Sequence, residues 1–178
     1  IDFGTKWLKY ETNVTDKSVL TWDDLGSISD VCIVAKIRIG ATVEADGISF
    51  HLRVGGTAGT EDSYFLTLHE TAIELNKCVA GVDTNLATEA FELLLTNEDW
   101  IKFQTIGTEL KAKVWNADSI EPSEWHLETT DSDLTIGYGG IGASTAGQDF
   151  YLDYIRLDSS EIGLPTAFTD DVYFGVTH

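Results

Sequence analysis

The residue types best suited to binding chemistry lie on the polar face of one alternating segment, ELKAKVW at 109–115. Lys113 and Trp115 share that face, while the opposite face is apolar. An indole offers a flat surface on which the C–H face of a sugar ring stacks, and neighbouring polar groups fix the sugar hydroxyls. We therefore predict a stacking site at Trp115. The alternative is that Trp115 packs on the Glu-Pro corner at 121–122 and caps the edge of the fold.

Further polar groups come from two other alternating segments. His51 and Arg53 lie on the polar face of ISFHLRV, and His126 lies opposite Trp125 in SEWHLET. We assign Trp125 to the core, because its face of the segment is apolar. The predicted ligand-binding residues are Trp115, His51, Arg53, Lys113 and His126.

A pair of catalytic carboxylates is not evident in the sequence. Retaining glycosidases hold two carboxyl groups about 5 Å apart, and inverting ones about 6.5–9.5 Å apart. Asp131 and Asp133 have an i, i+2 spacing, but no aromatic-flanked E-x-D-x-x-E motif surrounds them. The chain also lacks the H-E-x-x-H, G-x-S-x-G and GxxxxGK[ST] motifs. We therefore expect no catalytic residues and no enzyme, and we interpret Asp131 and Asp133 as a solvated turn.

Asp153 is the candidate metal ligand. It lies in DFYLDYIRL, a run otherwise rich in aromatic and aliphatic residues, so we expect it to be at least partly buried. A buried carboxylate needs a partner. That partner is Ca²⁺, which prefers oxygen ligands, or Arg156, or a lysine. Calcium is therefore the candidate cofactor.

The charge of the chain limits its partners. The 178 residues include 30 acidic and 11 basic side chains, for a net charge of -19. Such a field repels nucleic acid and anionic membrane surfaces.

No apolar run approaches the roughly 20 residues of a membrane helix, so we expect no membrane insertion. The chain contains no Met, which indicates a processed product or a fragment of a longer protein.

The two cysteines, Cys32 and Cys78, both fall in strand-like segments. They form a disulfide if those strands are neighbours, and the alternative is two buried free thiols. The sequence leaves the redox compartment open.

Alternating segments follow one another along most of the chain. They cover 31–39, 48–54, 63–69, 71–79, 100–106, 109–115, 123–129 and 149–157. Glycine-rich turns separate them, including the run from Gly137 to Gly147. Residues 84–99 fit either a short helix or a strand at FELLL, and we favour the strand. The tail contains a candidate edge strand, DVYFGVT.

These elements predict an all-β fold, a sandwich of two antiparallel sheets. The length suits one domain with a sizeable core. We expect a single domain over 1–178, with its core at about 20–157 and a C-terminal tail at 158–178.

The order of the segments resembles that of a known family. VCIVAKIRI, WIKF, GTELKAKVW, EPSEW, GYGGIG and FYLDYIRL follow one another as in the concanavalin A-like, laminin-G-like jelly rolls of bacterial surface, secreted and phage-encoded proteins. The resemblance covers roughly 20–157. It implies two curved antiparallel sheets, often with a structural Ca²⁺ at a sheet edge. It implies sugar binding or particle attachment far more often than catalysis, although some glycosidases and lyases share the scaffold.

We therefore predict a non-catalytic recognition module that binds carbohydrate as part of a larger extracellular, cell-surface or virion protein. The alternative is a structural subunit or decoration domain of a virion or an extracellular assembly, whose partners are neighbouring copies or proteins. A third interpretation, a sandwich-fold glycosidase or lyase, lacks its carboxylate motif.

Overall fold

The computed structural model describes residues 8–11, 18–22, 26–39, 47–57, 59–93, 97–143 and 149–158. Twelve strands lie within these ranges. They are β1 (Leu8–Glu11), β2 (Ser18–Thr21), β3 (Val31–Ile39), β4 (Ile48–Gly55), β5 (Asp62–Leu68), β6 (Ala72–Val79), β7 (Val82–Ala90), β8 (Glu98–Ile106), β9 (Glu109–Asn116), β10 (Leu127–Thr130), β11 (Tyr138–Ala143) and β12 (Asp149–Asp158). Over these ranges there is no helix that could cross a membrane.

The strands form two six-stranded antiparallel sheets. Sheet A has the order β1-β12-β3-β8-β9-β10, and sheet B has the order β2-β11-β4-β5-β6-β7. Hairpins such as β8–β9 join neighbours, whereas β12 lies between β1 and β3, and β11 lies between β2 and β4. The chain therefore passes between the sheets several times, as in a jelly roll. The predicted all-β fold of two antiparallel sheets is confirmed.

Period-two alternation places one face of each central strand between the sheets. The residues that form this core, each fully buried, include Ile33, Ile37, Phe50, Leu52, Tyr64, Leu66, Ile101 and Phe103. Burying one aliphatic or aromatic side chain of this size contributes about 1.5–3 kcal/mol. These core residues hold sheet A against sheet B, so the polar positions of both sheets face outward.

Two stretches form strands where we predicted other structure. The strand that overlaps 84–99 is β7, which ends at Ala90, and the described part of FELLL, Phe91 to Leu93, follows it outside any strand. The glycine-rich stretch includes β11 and is not only a turn. A Cβ atom on Gly139 would lie 2.6 Å from Cδ2 of Leu157, so glycine at this position permits close packing between the sheets. The candidate strand DVYFGVT lies outside the described residues.

Arg53 ties three loops together at one end of the sandwich. Its φ of 54° is left-handed, and its side chain is buried. The guanidinium donates to the carbonyl oxygens of Ser29 at 2.7 Å, Leu134 at 2.7 Å and Gly107 at 2.8 Å. A left-handed non-glycine residue costs about 1–2 kcal/mol, which three hydrogen bonds from a charged donor can offset. Because Gly107 belongs to the β8–β9 turn, Arg53 links sheet B to sheet A.

The loop at 131–136 is fixed by Tyr64 and Lys77. The Tyr64 hydroxyl donates to Oδ1 of Asp131 at 2.6 Å and accepts from the backbone N–H of Leu134 at 3.0 Å. Nζ of Lys77 donates to carboxylate oxygens of Asp131 and Asp133, each at 2.5 Å. The expected solvated turn is wrong for Asp131, whose side chain is only 12% exposed and anchors the loop.

Cys32 and Cys78 are both buried free thiols. Cys32 lies on the outward side of β3 in sheet A, and Cys78 lies on the outward side of β6 in sheet B. The thickness of the sandwich therefore separates them, and the free-thiol alternative is the one that the structure shows.

Candidate functional site

The outward side of sheet B carries two aligned rows of residues across five strands. The register places Gly140, His51, Phe65, Asn76 and Asn85 in the first row. It places Gly142, Ser49, Thr67, Glu74 and Thr88 in the second row. They alternate with core positions and so point away from sheet A. We call these two rows the polar face.

His51 and Phe65 form a stacked pair near the centre of the polar face. Their ring centroids are 5.1 Å apart, and the ring planes are 17° from parallel. The two ring nitrogens of His51 lie 3.1 Å from Oγ of Ser63 and 2.8 Å from Oγ of Ser49. Two hydroxyl partners and one stacked ring fix the imidazole orientation. The half-buried Phe65 ring is thereby supported on one side, and hydroxyl and amide groups surround it.

A chain of side-chain hydrogen bonds crosses the polar face from β7 to β5. Oγ1 of Thr88 donates to Oδ1 of Asn85 at 3.2 Å, and Nδ2 of Asn85 donates to Oδ1 of Asn76 at 3.0 Å. Nδ2 of Asn76 then donates to Oγ1 of Thr67 at 3.2 Å. All three bonds run in the same direction, and the next position in the row is Ser49, which contacts His51. The polar groups of four strands thus form one continuous stripe.

Glycine occupies both rows where the polar face reaches β11. Gly140 is opposite His51, and Gly142 is opposite Ser49. A glycine inside a strand often marks a place where another group approaches the backbone closely. The polar face therefore continues onto a strip of β11 backbone without side chains.

Within the described residues, the two rows of the polar face contain one acidic residue, Glu74, and no lysine or arginine. Oε2 of Glu74 lies 3.4 Å from Nε2 of His69, and Asp83 faces outward on β7 opposite Cys78. The two basic residues of sheet B, Arg53 and Lys77, are engaged with the end loops. The basic residues that face outward on sheet A are Lys36, Arg38, Lys102, Lys111, Lys113 and Arg156. An anionic ligand would be repelled at the polar face.

The five predicted ligand-binding residues lie at four separate places in the structure. His51 lies on the polar face, and Arg53 is 2% exposed between the end loops. Lys113 and Trp115 lie on the outward side of sheet A, and His126 lies beside β9 just before β10. The expected joint cluster is not formed. The reason is that β4 and β9 belong to different sheets, whose polar sides point in opposite directions.

Trp115 is 4% exposed and belongs to a second apolar cluster, on the outward side of sheet A, with Trp100 and Tyr154. The loop at 117–126 is joined to this side through Lys113, whose Nζ donates to the carbonyl oxygen of Pro122 at 2.8 Å. Nζ of Lys113 also lies 4.6 Å from the ring centroid of Trp125. The assignment of Trp125 to the core was wrong, because the Glu-Pro corner turns the chain back over Lys113.

His126 is a neutral ring held against β9. The backbone N–H of Val114 donates to its Nδ1 at 3.2 Å, so Nδ1 carries no proton. The ring also lies 5.5 Å from the ring of Phe91. Burial lowers the pKa of His126 below its usual value. The contacts of this side chain are thus with protein groups.

Asp153 is 8% exposed and lies at the bulge of β12. Its Oδ2 is 3.3 Å from Nζ of Lys36, and the same ammonium lies 2.5 Å from Oε2 of Glu98. Of the partners that the sequence allowed, lysine is the one observed. Ca²⁺ takes six to eight oxygen ligands, and the described ranges contain no group of three or more His, Cys, Asp or Glu that could hold a metal. Among the described residues, the surroundings of Asp153 therefore do not fit a calcium site.

Most residues of the polar face were not among the predicted site residues. Ser63, Phe65 and Thr67 alternate with apolar residues in SYFLTLH, and Glu74 and Asn76 do so in AIELN. These alternating patterns predict strands whose outward side is polar. Their alignment with His51 depends on the register between strands, which no local pattern specifies.

Solved structures that share this fold include a carbohydrate binding module, an exoplasmic/lumenal domain and a galectin. The carbohydrate binding module CBM66 from Bacillus subtilis matches with a TM-score of 0.67 at 13% identity, over 86% of this chain and 92% of that chain. The VIP36 exoplasmic/lumenal domain bound to Ca²⁺ and Man3GlcNAc matches with a TM-score of 0.61 at 12% identity, over 92% and 82%. Sheep galectin-11 in complex with glycerol matches with a TM-score of 0.54 at 8% identity, over 82% and 99%.

No family model and no curated protein matches the sequence. At identities of 8–13%, the likeness to these solved structures establishes the fold. The chain therefore has the predicted fold, a jelly-roll sandwich of two antiparallel sheets.

Proposed function

We propose that this domain is a non-catalytic carbohydrate-binding module that holds glycan on the polar face of sheet B. The observation that carries the proposal is the stacked pair of His51 and Phe65, with hydroxyl and amide side chains around it. Apolar ring surface flanked by fixed polar groups suits a sugar, which has C–H faces and hydroxyl edges. The VIP36 domain, which has the same fold and binds Man3GlcNAc, supports this ligand class.

In this proposal, His51 is the member of the sequence-predicted set that contacts glycan. Phe65 supplies apolar surface, and the exposed Asn85 and Thr88 bind sugar hydroxyls. Ser49, Thr67 and Asn76 are 6–8% exposed, and their hydrogen bonds orient His51 and Asn85. The other four predicted residues, Arg53, Lys113, Trp115 and His126, support the scaffold, because the structure surrounds them with protein groups.

The spacing of acidic groups on this side of sheet B supports a non-catalytic role. Glu74 lies four residues before Cys78, and Cys78 is opposite Asp83. Strand geometry puts the Cα atoms of Glu74 and Asp83 about 14 Å apart. Glycosidases hold their two carboxyl groups about 5–9.5 Å apart. We therefore assign no hydrolytic step to this pair.

We further propose that the domain attaches a larger extracellular, cell-surface or virion protein to glycan. The net charge of -19 keeps such a module soluble and away from polyanions. The exoplasmic/lumenal setting of the VIP36 domain supports an extracytoplasmic location. Calcium has no assigned role in this proposal, because the residues around Asp153 do not fit it.

A glycan array on the purified chain, run with Ca²⁺ and again with EDTA, tests the proposal. We expect binding to one class of glycan in both conditions. Phe65→Ala and His51→Ala should each weaken binding at least about tenfold, since an aromatic contact and its support are lost. Trp115→Phe and the matched surface control Glu128→Gln should stay within about twofold.

Unchanged binding in Phe65→Ala, with loss in Trp115→Phe, would move the site to sheet A and overturn the proposal. If the folded protein binds no glycan on the array, the result would favour the alternative function, a structural subunit or decoration domain. Circular dichroism on every variant separates loss of the site from loss of the fold.

A further inference from the structure

We infer that His126 is an acid-sensitive latch between the two sheets, closed by its neutral imidazole and opened when the ring gains a proton. This inference goes beyond the proposed function and does not depend on it. It depends on the atom at which His126 accepts a hydrogen bond, on the two sheets that this residue contacts and on the charges around its ring.

His126 contacts both sheets at the edge where they meet. On the side of sheet A, its backbone N–H donates to the carbonyl oxygen of Ala112 at 3.1 Å, and its Nδ1 accepts from the N–H of Val114 at 3.2 Å. On the side of sheet B, its ring centroid lies 5.5 Å from that of Phe91, the residue that directly follows β7. The strands β10 and β7 belong to different sheets and contact each other at this edge. His126 therefore joins sheet A to sheet B there.

The hydrogen bond from Val114 requires that Nδ1 of His126 carries no proton. In an imidazolium both ring nitrogens are donors, so Nδ1 of the charged ring would face another donor, the N–H of Val114. The charged ring would also be held half-buried against the ring of Phe91. Protonation is therefore incompatible with the closed contact between His126 and β9.

The charges around the ring set the direction of the effect. Burial lowers the pKa of His126, Glu89 on β7 raises it, and Lys113 on β9 lowers it. The acidic residues before and after His126 in the same segment, Glu124 and Glu128, are exposed. Because the net direction is downward, the closed state binds a proton less readily than an open state, in which the histidine has its ordinary pKa of 6.5.

The latch should therefore open as the pH falls. A histidine whose pKa is lowered by folding stabilises the closed state fully above its ordinary pKa of 6.5, and this contribution is lost as the pH falls toward the lowered value. If the closed state holds only the neutral ring, the opening equilibrium at about pH 5.0 exceeds that at about pH 7.5 by up to about thirtyfold. We expect the opening to be confined to this edge, because apolar core residues hold the central strands together.

Amide hydrogen exchange, measured by NMR on the full chain at about pH 5.0 and about pH 7.5, tests this inference. The readout is the protection factor, which corrects for the intrinsic pH dependence of exchange. We expect the protection factor of the Val114 amide to fall about ten- to thirtyfold at the lower pH. Phe103, in the centre of β8, is the internal reference, and its protection should not fall.

Two variants separate the effect of the proton from that of the ring. His126→Asn places an amide oxygen at the side-chain position of Nδ1, where it can accept from Val114 without titrating, so protection should differ by less than about twofold between the two pH values. His126→Phe keeps a ring but removes the acceptor, so the Val114 amide should exchange fast at both pH values. His69→Asn is the matched histidine control, because His69 lies 3.4 Å from Glu74 on sheet B, and it should leave the pH effect at Val114 in place.

A protection factor of Val114 that stays within about twofold between the two pH values would overturn the inference. An equal loss in His126→Asn would overturn it too, because another group would then be responsible, and so would a parallel loss at Phe103, because the whole domain would then open. If His126→Asn does not fold, the NMR titration of the wild-type ring decides. Its midpoint must lie below 6.5 and coincide with the shift change of the Val114 amide, and a midpoint at or above 6.5 would overturn the inference.

Discussion

Lys102 and Lys113 lie directly opposite each other on β8 and β9, and both ammonium groups contact one carboxylate, that of Glu121. The Nζ–Oε1 distances are 3.4 Å and 2.7 Å, and the two lysine side chains are 5% and 6% exposed. Two like charges on facing positions repel each other strongly when they are shielded from water. Glu121, from the Glu-Pro corner, offsets this repulsion and holds the loop at 117–126 against sheet A.

Glu121→Gln should lower the free energy of unfolding by about 3 kcal/mol, because it leaves two buried ammonium groups without their shared carboxylate. Urea denaturation at neutral pH measures the loss. The matched control is Glu128→Gln, since Glu128 is 51% exposed and pairs with Lys111 at 3.5 Å. That change should cost at most about 1 kcal/mol. Equal losses in the two variants would contradict the role given to Glu121.

Tyr64→Phe should destabilise the protein by about 1–3 kcal/mol, because it removes one of the donors to Asp131 and leaves the N–H of Leu134 without its acceptor. Burial and the hydrogen bond to Asp131 raise the pKa of Tyr64 to about 12, so the hydroxyl stays protonated at all ordinary pH values. Hydrogen exchange should show the loop at 131–136 opening in the variant. The half-buried Tyr138 is the control, and Tyr138→Phe should leave that loop protected. Unchanged exchange in Tyr64→Phe would show that Lys77 alone holds the loop.

Asp99 is 5% exposed on the inward side of β8, opposite Ile37 and Asn116, and burial raises its pKa to about 6. A carboxyl whose pKa rises on folding is disfavoured as the anion in the folded state. It therefore lowers stability above about pH 6, and this effect disappears as the pH falls toward the unfolded value of 3.8.

Asp99→Asn should accordingly raise the free energy of unfolding by up to about 3 kcal/mol at pH 7.5, and by close to zero at pH 4. Urea titrations of both proteins at the two pH values measure this difference. Asp118→Asn, at an exposed turn position, is the control for replacing a carboxylate by an amide and should change the free energy of unfolding by at most about 0.5 kcal/mol. A gain that is equal at the two pH values would show that side-chain packing, and not the carboxylate charge, limits stability here.

Gly137→Ala should be strongly destabilising, by about 3 kcal/mol or more, because its Cβ would lie 2.3 Å from the backbone carbon of Arg53. The strand β4 cannot move away, since the guanidinium of Arg53 is bound to three loops. Gly55→Ala is the matched control, because no atom lies within 4 Å of its Cβ position. That change should be neutral or stabilise by up to about 1 kcal/mol. Thermal unfolding of both variants distinguishes them, and a similar melting temperature for the two would argue against the close approach at Gly137.

Much of the scaffold was predictable from local patterns. The alternation in VCIVAKIRI identified both the bounds of β3 and its core side, and ELKAKVW identified the core side of β9 and its bounds to within one residue. Local patterns did not predict the strand β11, because its glycines permit close packing against another strand as well as a turn. They also predicted the wrong side for Trp125, because the turn at Pro122 and the attraction of Lys113 place this ring on the outward side of sheet A.

The candidate site was less accessible to prediction, and His51 and Trp115 show why. Each was correctly placed on the outward side of its strand, because alternation along a strand is a local property that the residues themselves determine. Whether two outward sides meet depends on sheet membership and register, which arise from contacts between residues far apart in the chain. Only the tertiary structure put His51 beside Phe65 and Asn76, and put Trp115 on the opposite side of the sandwich. The sequence alone therefore determined most of the central strands and their core sides, and the folded structure decided which polar groups form one surface.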